Sequence, residues 1–176
     1  MVKRVVKVKE DESGKLLVSE GEDVLSKLDL GHKSLLKNAW ILDVAEAAYL
    51  IFTDAAQLED DEGPLNLAEL FAKYSRSKYD WIRFVVLLNL RERGRRAKVG
   101  FGVNDIIYGK GSDKTMVFVI EENSPLRAGA LIEWTKDAIM KGYEPVIAVV
   151  DAHGDVTYYS TRVLDVSDLG EVVKSA

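Results

Sequence analysis

The chain has 176 residues, of which 47% are hydrophobic and 30% are charged, and it contains 3 Pro. These proportions are typical of a folded globular protein with one ordinary domain or two small ones, and they exclude a disordered, collagenous or low-complexity chain. The 29 acidic residues outnumber the 24 basic ones and give a formal net charge of −5. Any contact with nucleic acid must therefore be confined to part of the surface or shared with a partner.

The composition gives little support to membrane, thiol or metal chemistry. No apolar stretch approaches the ~20 residues that cross a bilayer, and the first residues lack the apolar region of a signal peptide, so a cytoplasmic protein is expected. The chain has no Cys and only 2 His, which are His32 and His153. We therefore expect no disulfide, no thiolate nucleophile, no metal site and no cofactor.

The first part of the chain, residues 1–77, predicts a small α/β domain. Valines among basic residues and a following turn predict two short strands, at residues 2–8 and 16–18. Two helices are predicted, each after a capping residue: Val44–Phe52 after Asp43, and Leu67–Tyr74 after Asn66. The short polar segment 75–78 is the predicted domain boundary.

The second part, residues 78–176, predicts a mixed sheet flanked by helices, so the whole chain is assigned to the α/β class. One helix is expected from Tyr79 to Gly94, where glycine suits a left-handed cap, and another from Pro125 to Met140. Apolar periodicity predicts strands at residues 95–99, 104–108, 115–120, 146–150 and 156–163. Because residues 146–150 are continuously apolar, that strand is expected to be central.

Three segments of the second part carry a resemblance to a known family. They are Leu90-Arg91-Glu92-Arg93-Gly94, then Gly100-Phe101-Gly102 with Asp105 and Tyr108, and finally Ala148-Val149-Val150-Asp151 followed by residues 154–159. In order and spacing they resemble the C-terminal domain of the archaeal tRNA-splicing endonucleases. The segment Glu46-Ala47-Ala48-Tyr49-Leu50 is similar to a segment of that family's N-terminal domain. The resemblance implies that family's fold, with a catalytic-domain-like second part.

The resemblance also implies a reaction. The family cleaves precursor tRNA at a bulge-helix-bulge without a metal ion, leaving a 2′,3′-cyclic phosphate and a free 5′-hydroxyl. A Tyr is the general base, a His is the general acid, and a Lys stabilises the charge of the transition state. Tyr108 stands at the family's Tyr position, but no His follows on the next strand. The Lys position, just before the apolar strand, falls in Tyr143-Glu144-Pro145.

These departures predict a structural, non-catalytic subunit of a heterotetrameric enzyme, two plus two, whose sister subunit carries the complete triad. Tyr108 is then a packed aromatic residue with a vestigial role. Two alternatives stay open. One is a self-sufficient RNA endonuclease that uses Tyr108, Lys114 and Lys141. The other is a metal-dependent nuclease with Asp105 as a strand acid, although residues 121–124 offer no Lys two positions after a Glu.

Two contacts between subunits are implied by the same resemblance. The acidic turn is expected to place Asp151 and Asp155 in a basic pocket of a neighbouring subunit, while Gly154 and the flanking strands hold the turn itself. The last strand is expected to pair through its free edge with a partner strand. A proline at position 161, or at 159 in a register shifted by two, is expected to break that pair. The residues assigned to this contact are Val156, Tyr158, Tyr159, Thr161 and Val163.

Basic residues concentrate after the first helix of the second part. The candidates for contact with an RNA backbone are Arg91, Arg93, Arg95, Arg96 and Lys98. Such a run is equally typical of charges that are solvated or paired with a helix dipole. Asp151, His153 and Asp155 alternate in the acidic turn, but a tight turn directs them to different sides, so no metal site is expected there.

Overall fold

The computed structural model describes residues 4–163, which form two mixed β-sheets and five helices. The strands of the first sheet are β1 (Val5–Glu10), β2 (Leu16–Glu20), β3 (His32–Ser34), β4 (Ala39–Leu42), β5 (Gln57–Asp60) and β6 (Gly63–Pro64). Their order is β3-β4-β2-β1-β5-β6. β1 pairs with β5 in parallel and with β2 antiparallel, which makes this sheet mixed. Val2, in the first predicted strand, lies outside the described residues.

The helices of the first part are α1 (Glu22–Leu28), α2 (Val44–Phe52) and α3 (Leu67–Tyr74). Both predicted caps are confirmed, since Asp43 accepts a hydrogen bond from Ala45 N and Asn66 accepts one from Glu69 N. Alternate residues of β1 and β2 are buried with α2 in one apolar core, as the period of two in a half-covered sheet requires.

The second sheet contains β7 (Lys98–Val99), β8 (Asp105–Tyr108), β9 (Thr115–Glu121), β10 (Glu144–Val150) and β11 (Val156–Ser160), in the order β11-β10-β9-β8-β7. β9 and β10 are parallel, and every other neighbouring pair is antiparallel. The remaining helices are α4 (Tyr79–Glu92) and α5 (Ala128–Met140). The predicted α/β class, with a mixed sheet flanked by helices in the second part, is confirmed.

The two faces of the second sheet pack against different helices. Ile106, Val117 and Ala148 are buried in the same core as residues of α4. Their neighbours Ile107 and Met116 face the other side, where Ala138 of α5 covers them. α4 also sends Phe84 into the core of the first sheet. The helix α4, which both cores share, thus directly follows the predicted boundary at residues 75–78. The division into domains 1–77 and 78–176 stays a prediction.

Several predicted elements were wrong in extent. The strand expected from residue 95 begins at Lys98, because Gly94 takes a left-handed φ of 78° and Arg95 N still donates to Leu90 O of α4. α5 begins at Ala128, after Arg127 in an extended conformation, and β11 ends at Ser160. The apolar strand β10 is an interior strand, as expected, and lies between β9 and β11. The sequence analysis also missed α1 and the strands β3 to β6.

No helix among residues 4–163 is long and apolar enough to span a membrane.

Candidate functional sites at the two ends of the second sheet

Tyr108 lies at one end of the second sheet in a row of three side chains. Tyr108 pairs with Thr115 on β9, and Thr115 pairs with Glu144 on β10. Residues directly paired across strands project from the same face, so all three lie on the face covered by α4. Thr115 is buried, Tyr108 is partly buried and Glu144 is exposed. The acidic Glu144 therefore lies in the same row as the tyrosine, two strands away with Thr115 between them, at the place where the resemblance expects a lysine.

A second tyrosine reaches toward this end from β11, where its backbone pairs with Ala148. Tyr158 on β11 donates its hydroxyl to Asn89 Oδ1 of α4 at 2.9 Å. Burial raises the pKa of Tyr158 to about 12, so its phenol stays protonated at neutral pH. Arginines cover both rings: the guanidinium of Arg93 lies 5.5 Å from the Tyr158 ring centre, and that of Arg95 lies 5.6 Å from the Tyr108 ring centre.

The two lysines of the self-sufficient alternative lie elsewhere. Lys114 Nζ is 4.7 Å from the ring centre of Tyr143, and Lys141 Nζ is 5.4 Å from that of Phe101. Tyr143 packs with the core under α5, which is the opposite face from Tyr108. Lys141 also forms an ion pair with Asp137, at 2.5 Å. The structure does not bring Tyr108, Lys114 and Lys141 into one site.

Asp105 has a structural contact that the sequence analysis missed. Its carboxylate accepts hydrogen bonds from Trp134 Nε1 of α5 and from Gly102 N, both at 2.9 Å. Burial raises the pKa of Asp105. A Cβ on Gly102 would lie 2.5 Å from Asp105 Oδ2, so the loop requires glycine there. The Gly-x-Gly sequence shortly before Asp105 was the signal in the sequence that could have indicated this close contact. Among residues 4–163 no group of three His, Asp or Glu side chains is placed to hold a metal ion.

The acidic turn occupies the opposite end of the sheet, and one of its carboxylates holds it together. Asp151 Oδ1 accepts hydrogen bonds from His153 N at 2.8 Å and Asp155 N at 2.9 Å. These two backbone donors lower the pKa of Asp151. Gly154 takes a left-handed φ of 86°, which glycine adopts without strain. The expectation that no carboxylate supports the turn was nevertheless wrong: Asp151 supports it, whereas Asp155 presents an exposed side chain.

β11 is an edge strand, as expected, but the expected positions of its free groups were wrong. Thr161 N donates to Pro145 O at 3.1 Å, and Asp155 O accepts from Asp151 N at 3.0 Å, so the hydrogen-bonded pairs with β10 fall on odd-numbered residues. The backbone groups of Val156, Tyr158 and Ser160 therefore point to the free edge. Neither Thr161 nor Tyr159 directs its N–H toward a partner strand. The side chains of Tyr159 and Val163 are exposed.

The basic run divides into two sets. Arg91 is held by Ala97 O at 2.7 Å and by Leu28 O and Asp29 O at 2.9 and 3.1 Å, and its guanidinium also covers the Tyr49 ring. Lys98 pairs with Asp29 at 3.1 Å. Both side chains thus join the second part of the chain to the α1–β3 connection. Arg93, Arg95 and Arg96 are exposed, and their contact with RNA stays a prediction.

Glu46 closes the same junction between the two sheets. This fully buried carboxylate accepts hydrogen bonds from Gly31 N at 2.9 Å, Val99 N at 3.1 Å and Asp43 N at 3.3 Å. Burial, with the nearby charge of Asp43, raises the pKa of Glu46 to about 7. In the sequence, Glu46 is part of the family-like segment and is predicted to be a helix residue. Its contact with β7 is a tertiary feature that no local pattern indicates.

A cavity of about 930 Å³ opens beside this junction. Its basic lining residues are Lys15, Arg76, Arg83 and Lys98. Arg83 is buried and pairs with Asp80 at 2.7 Å and with Asp43 at 3.1 Å. Burial acts to raise the pKa of Asp80, but hydrogen bonds from Arg83 and the 75–77 segment outweigh it and hold that pKa below its usual value. Within residues 4–163, Arg83 Nε is a buried donor without a hydrogen-bond partner.

Comparison with known proteins identifies the family. A family model for the tRNA intron endonuclease catalytic C-terminal domain matches residues 81–158. The tRNA-splicing endonuclease of Thermococcus kodakarensis is 30% identical over 69% of this chain and 76% of its own length. That of Thermococcus onnurineus is 32% identical over 67% of this chain and 72% of its own length. The chain belongs to the tRNA intron endonuclease family.

A longer match comes from Pyrococcus furiosus, whose tRNA-splicing endonuclease is 29% identical over 85% of this chain and 92% of its own length. The endonuclease family model starts at Trp81 on α4 and ends at Tyr158 on β11. It therefore includes the Tyr108 end, the acidic turn and most of β11. Membership of the tRNA intron endonuclease family supports a function in tRNA splicing.

Proposed function

We propose that this chain is the structural subunit of a tRNA-splicing endonuclease, and that a catalytic partner with the Tyr, His and Lys triad cleaves the precursor tRNA. The products are a 2′,3′-cyclic phosphate and a 5′-hydroxyl. The observation that carries the proposal is the row of Tyr108, Thr115 and Glu144, which puts a carboxylate where the family's lysine is expected, in the same row as the tyrosine position. This chain then contributes shape and contacts to an active site that lies in the partner.

The chemistry of cleavage disfavours catalysis at Tyr108. The transition state gathers negative charge on the phosphoryl oxygens, and a nearby cation stabilises it. Glu144, as an exposed carboxylate, would instead repel that charge and the incoming phosphate. A general acid is also needed to protonate the leaving oxygen, and the chain's two histidines, His32 on β3 and His153 in the acidic turn, lie away from Tyr108.

Strand pairing through β11 is supported by a comparison of the sheet edges. Among the described residues, β6 is a two-residue edge that contains Pro64, β7 has two residues, and β3 has three with His32 and Lys33. Short strands, proline and charged side chains are the usual protections of an edge. β11 has five residues with no charge and no proline. It is the edge best suited to accept a partner strand, through Val156, Tyr158 and Ser160.

The acidic turn supplies the second proposed contact. Because Asp151 is used to hold the turn, Asp155 is the side chain free to enter a basic pocket of the partner. The cavity beside the junction is lined by Lys15, Arg76, Arg83 and Lys98 and also by the carboxylates Asp43, Glu46 and Asp80, so a reciprocal contact, in which an acidic turn of the partner enters this chain, rests on Arg83 Nε. The buried Arg83 Nε would find an acceptor in such a carboxylate.

The proposal is tested by an RNA cleavage assay in EDTA with bulge-helix-bulge RNA. The purified chain alone should leave the RNA intact, and addition of a catalytic subunit recovered with it from the native cell should give cyclic-phosphate and 5′-hydroxyl ends. Metal-independent cleavage by the chain alone, abolished by Tyr108→Phe, would contradict the structural role and favour the self-sufficient enzyme.

Assembly is tested with a proline at the free edge. Ser160→Pro removes an N–H that points away from β10, so the chain should fold while its complex with the catalytic subunit is lost in light scattering. Thr157→Pro is the matched control, since it removes an N–H that pairs with β10 and should damage the fold itself. An intact complex with Ser160→Pro would exclude pairing through β11.

A further inference from the structure

Two large aromatic side chains remain exposed where α2 meets the start of α4. Trp81 is 51% exposed and Phe52 is 56% exposed. Both pack at an angle against the buried Phe84, with ring centres 5.4 Å away for Trp81 and 5.6 Å away for Phe52, and the Trp81 ring centre also lies 5.5 Å from that of Phe71. The cluster is therefore fixed by packing while its outer rings stay open. Fixed, exposed tryptophan is typical of residues that dominate binding at protein interfaces.

Trp81 forms one wall of a cavity of about 480 Å³ next to the acidic turn. Ile82 and Val150 provide an apolar floor, and the turn residues 151–154 form another wall. Glu121 and Glu122, at the end of β9, also line this cavity. Glu122 N donates to Val150 O at 2.8 Å, which fixes the backbone of that acidic pair against β10.

Acidic side chains predominate around this cavity. Among residues 4–163, Glu121, Glu122, Asp151 and His153 line it, and no lysine or arginine does. Within residues 4–163 neither Glu121 nor Glu122 has an ion-pair partner. An aromatic face, an apolar floor and unpaired carboxylates together match a side chain with an apolar stem and a planar cationic head. Arginine fits better than lysine, because guanidinium stacks on indole and binds carboxylates through paired N–H groups.

We propose that the Trp81 surface, which comprises Trp81, Glu121, Glu122 and the cavity between them, receives an arginine side chain of the catalytic subunit. The inference rests on the proposed function, because the Trp81 surface adjoins the acidic turn that is proposed to enter that subunit. It extends the contact from one carboxylate, Asp155, to a wider patch. The partner is thereby expected to present a basic segment with at least one arginine beyond its pocket for the turn.

The test compares variants of the Trp81 surface in complexes with the catalytic subunit. Trp81→Ala should raise the Kd of the complex ~10–30-fold, as expected for an interface tryptophan. The double variant Glu121→Gln/Glu122→Gln, which leaves the core untouched, should raise the Kd ~5-fold at low salt and less at high salt. Leu36→Ala and Glu133→Gln remove an exposed apolar and an exposed acidic side chain elsewhere, and should leave the Kd within about twofold.

The outcomes separate this inference from the proposed function. A complex that forms with wild-type Kd in both Trp81-surface variants would overturn the inference and leave the structural-subunit role intact. If no catalytic subunit is recovered, the proposed function fails, and N-acetylarginine amide becomes the probe in NMR titration of the whole chain. A shift of the Trp81 indole N–H, larger than those of Trp40 and Trp134 and absent with the citrulline analogue, upholds the surface. No such shift up to the probe's solubility overturns it.

Discussion

The two ends of the second sheet carry different kinds of interaction. At the Tyr108 end, aromatic rings lie under exposed arginines, and Glu144 occupies the position expected for a cation. At the opposite end, Asp151 binds two backbone N–H groups and the start of α4 is anchored by the buried pair of Arg83 and Asp80. The first end has no His or Lys at the positions where the resemblance expects them, whereas the second holds a defined shape through these hydrogen bonds and the ion pair. This difference between the two ends is the basis for the proposal that the chain serves assembly.

The largest effect is expected at the anchored end. Arg83→Met should lower the free energy of unfolding by ~3–5 kcal/mol, because Asp80 keeps its charge in a buried site after losing its partner. Urea denaturation measures this. Arg76→Met is the matched control: its pair with Glu10 is exposed, so it should cost at most ~1 kcal/mol. Equal losses would contradict a special role for the buried pair.

A smaller effect is expected from pH at the junction between the sheets. The pKa of Glu46 rises from 4.5 to about 7 on folding, so the folded chain binds more protons than the unfolded chain between these values. The contribution of Glu46 to stability is therefore complete below pH 4.5 and falls by about 3 kcal/mol as pH rises through about 7. Urea denaturation at a series of pH values should show this slope.

Glu46→Gln is the control for that slope, since an amide does not titrate. At acidic pH the variant should be less stable than the native chain, because the amide NH₂ faces backbone N–H donors. The difference in the free energy of unfolding between the two proteins should narrow as pH rises. Parallel stability curves for the two proteins would show that Glu46 does not titrate in this range.

The next effect belongs to the Tyr108 end. Tyr158→Phe removes the hydroxyl that donates a hydrogen bond to Asn89 Oδ1. The free energy of unfolding should fall by ~1 kcal/mol, the usual net value of one such hydrogen bond. Thermal unfolding followed by circular dichroism measures it. Tyr159→Phe, at an exposed neighbour on the same strand, should cost almost nothing. A loss above ~3 kcal/mol would mean that Tyr158 supports more than this contact.

The smallest effect is expected from the same substitution at Tyr108. Tyr108→Phe should leave the cleavage rate of the assembled enzyme within about twofold, whereas loss of an acting general base costs ~10²–10⁴-fold. Gel assays of the reconstituted complex provide the rate. A loss of a hundredfold with an intact complex would make Tyr108 a catalytic residue.

The sequence by itself determined the elements whose signals are local. The caps at Asp43 and Asn66, the glycine after α4 and the apolar run of β10 lie within a few residues of what they control, and the order of short motifs indicated the family. The missing His and the acidic Glu144 were also visible, because they are questions of residue identity. Short strands such as β3 and β6 were missed, since three or two residues carry no periodicity.

Only the tertiary structure decided which atoms meet. It assigned Asp151 to its own turn and left Asp155 free, and it turned the N–H of Thr161 toward β10 and that of Ser160 outward. It also placed Glu46 against Val99 and brought Trp81 and Glu122 to the lining of one cavity. Strand register and the packing of α4 between two sheets set these contacts. Both depend on pairings between residues far apart in the chain, and the free energy of such pairings depends on the whole fold.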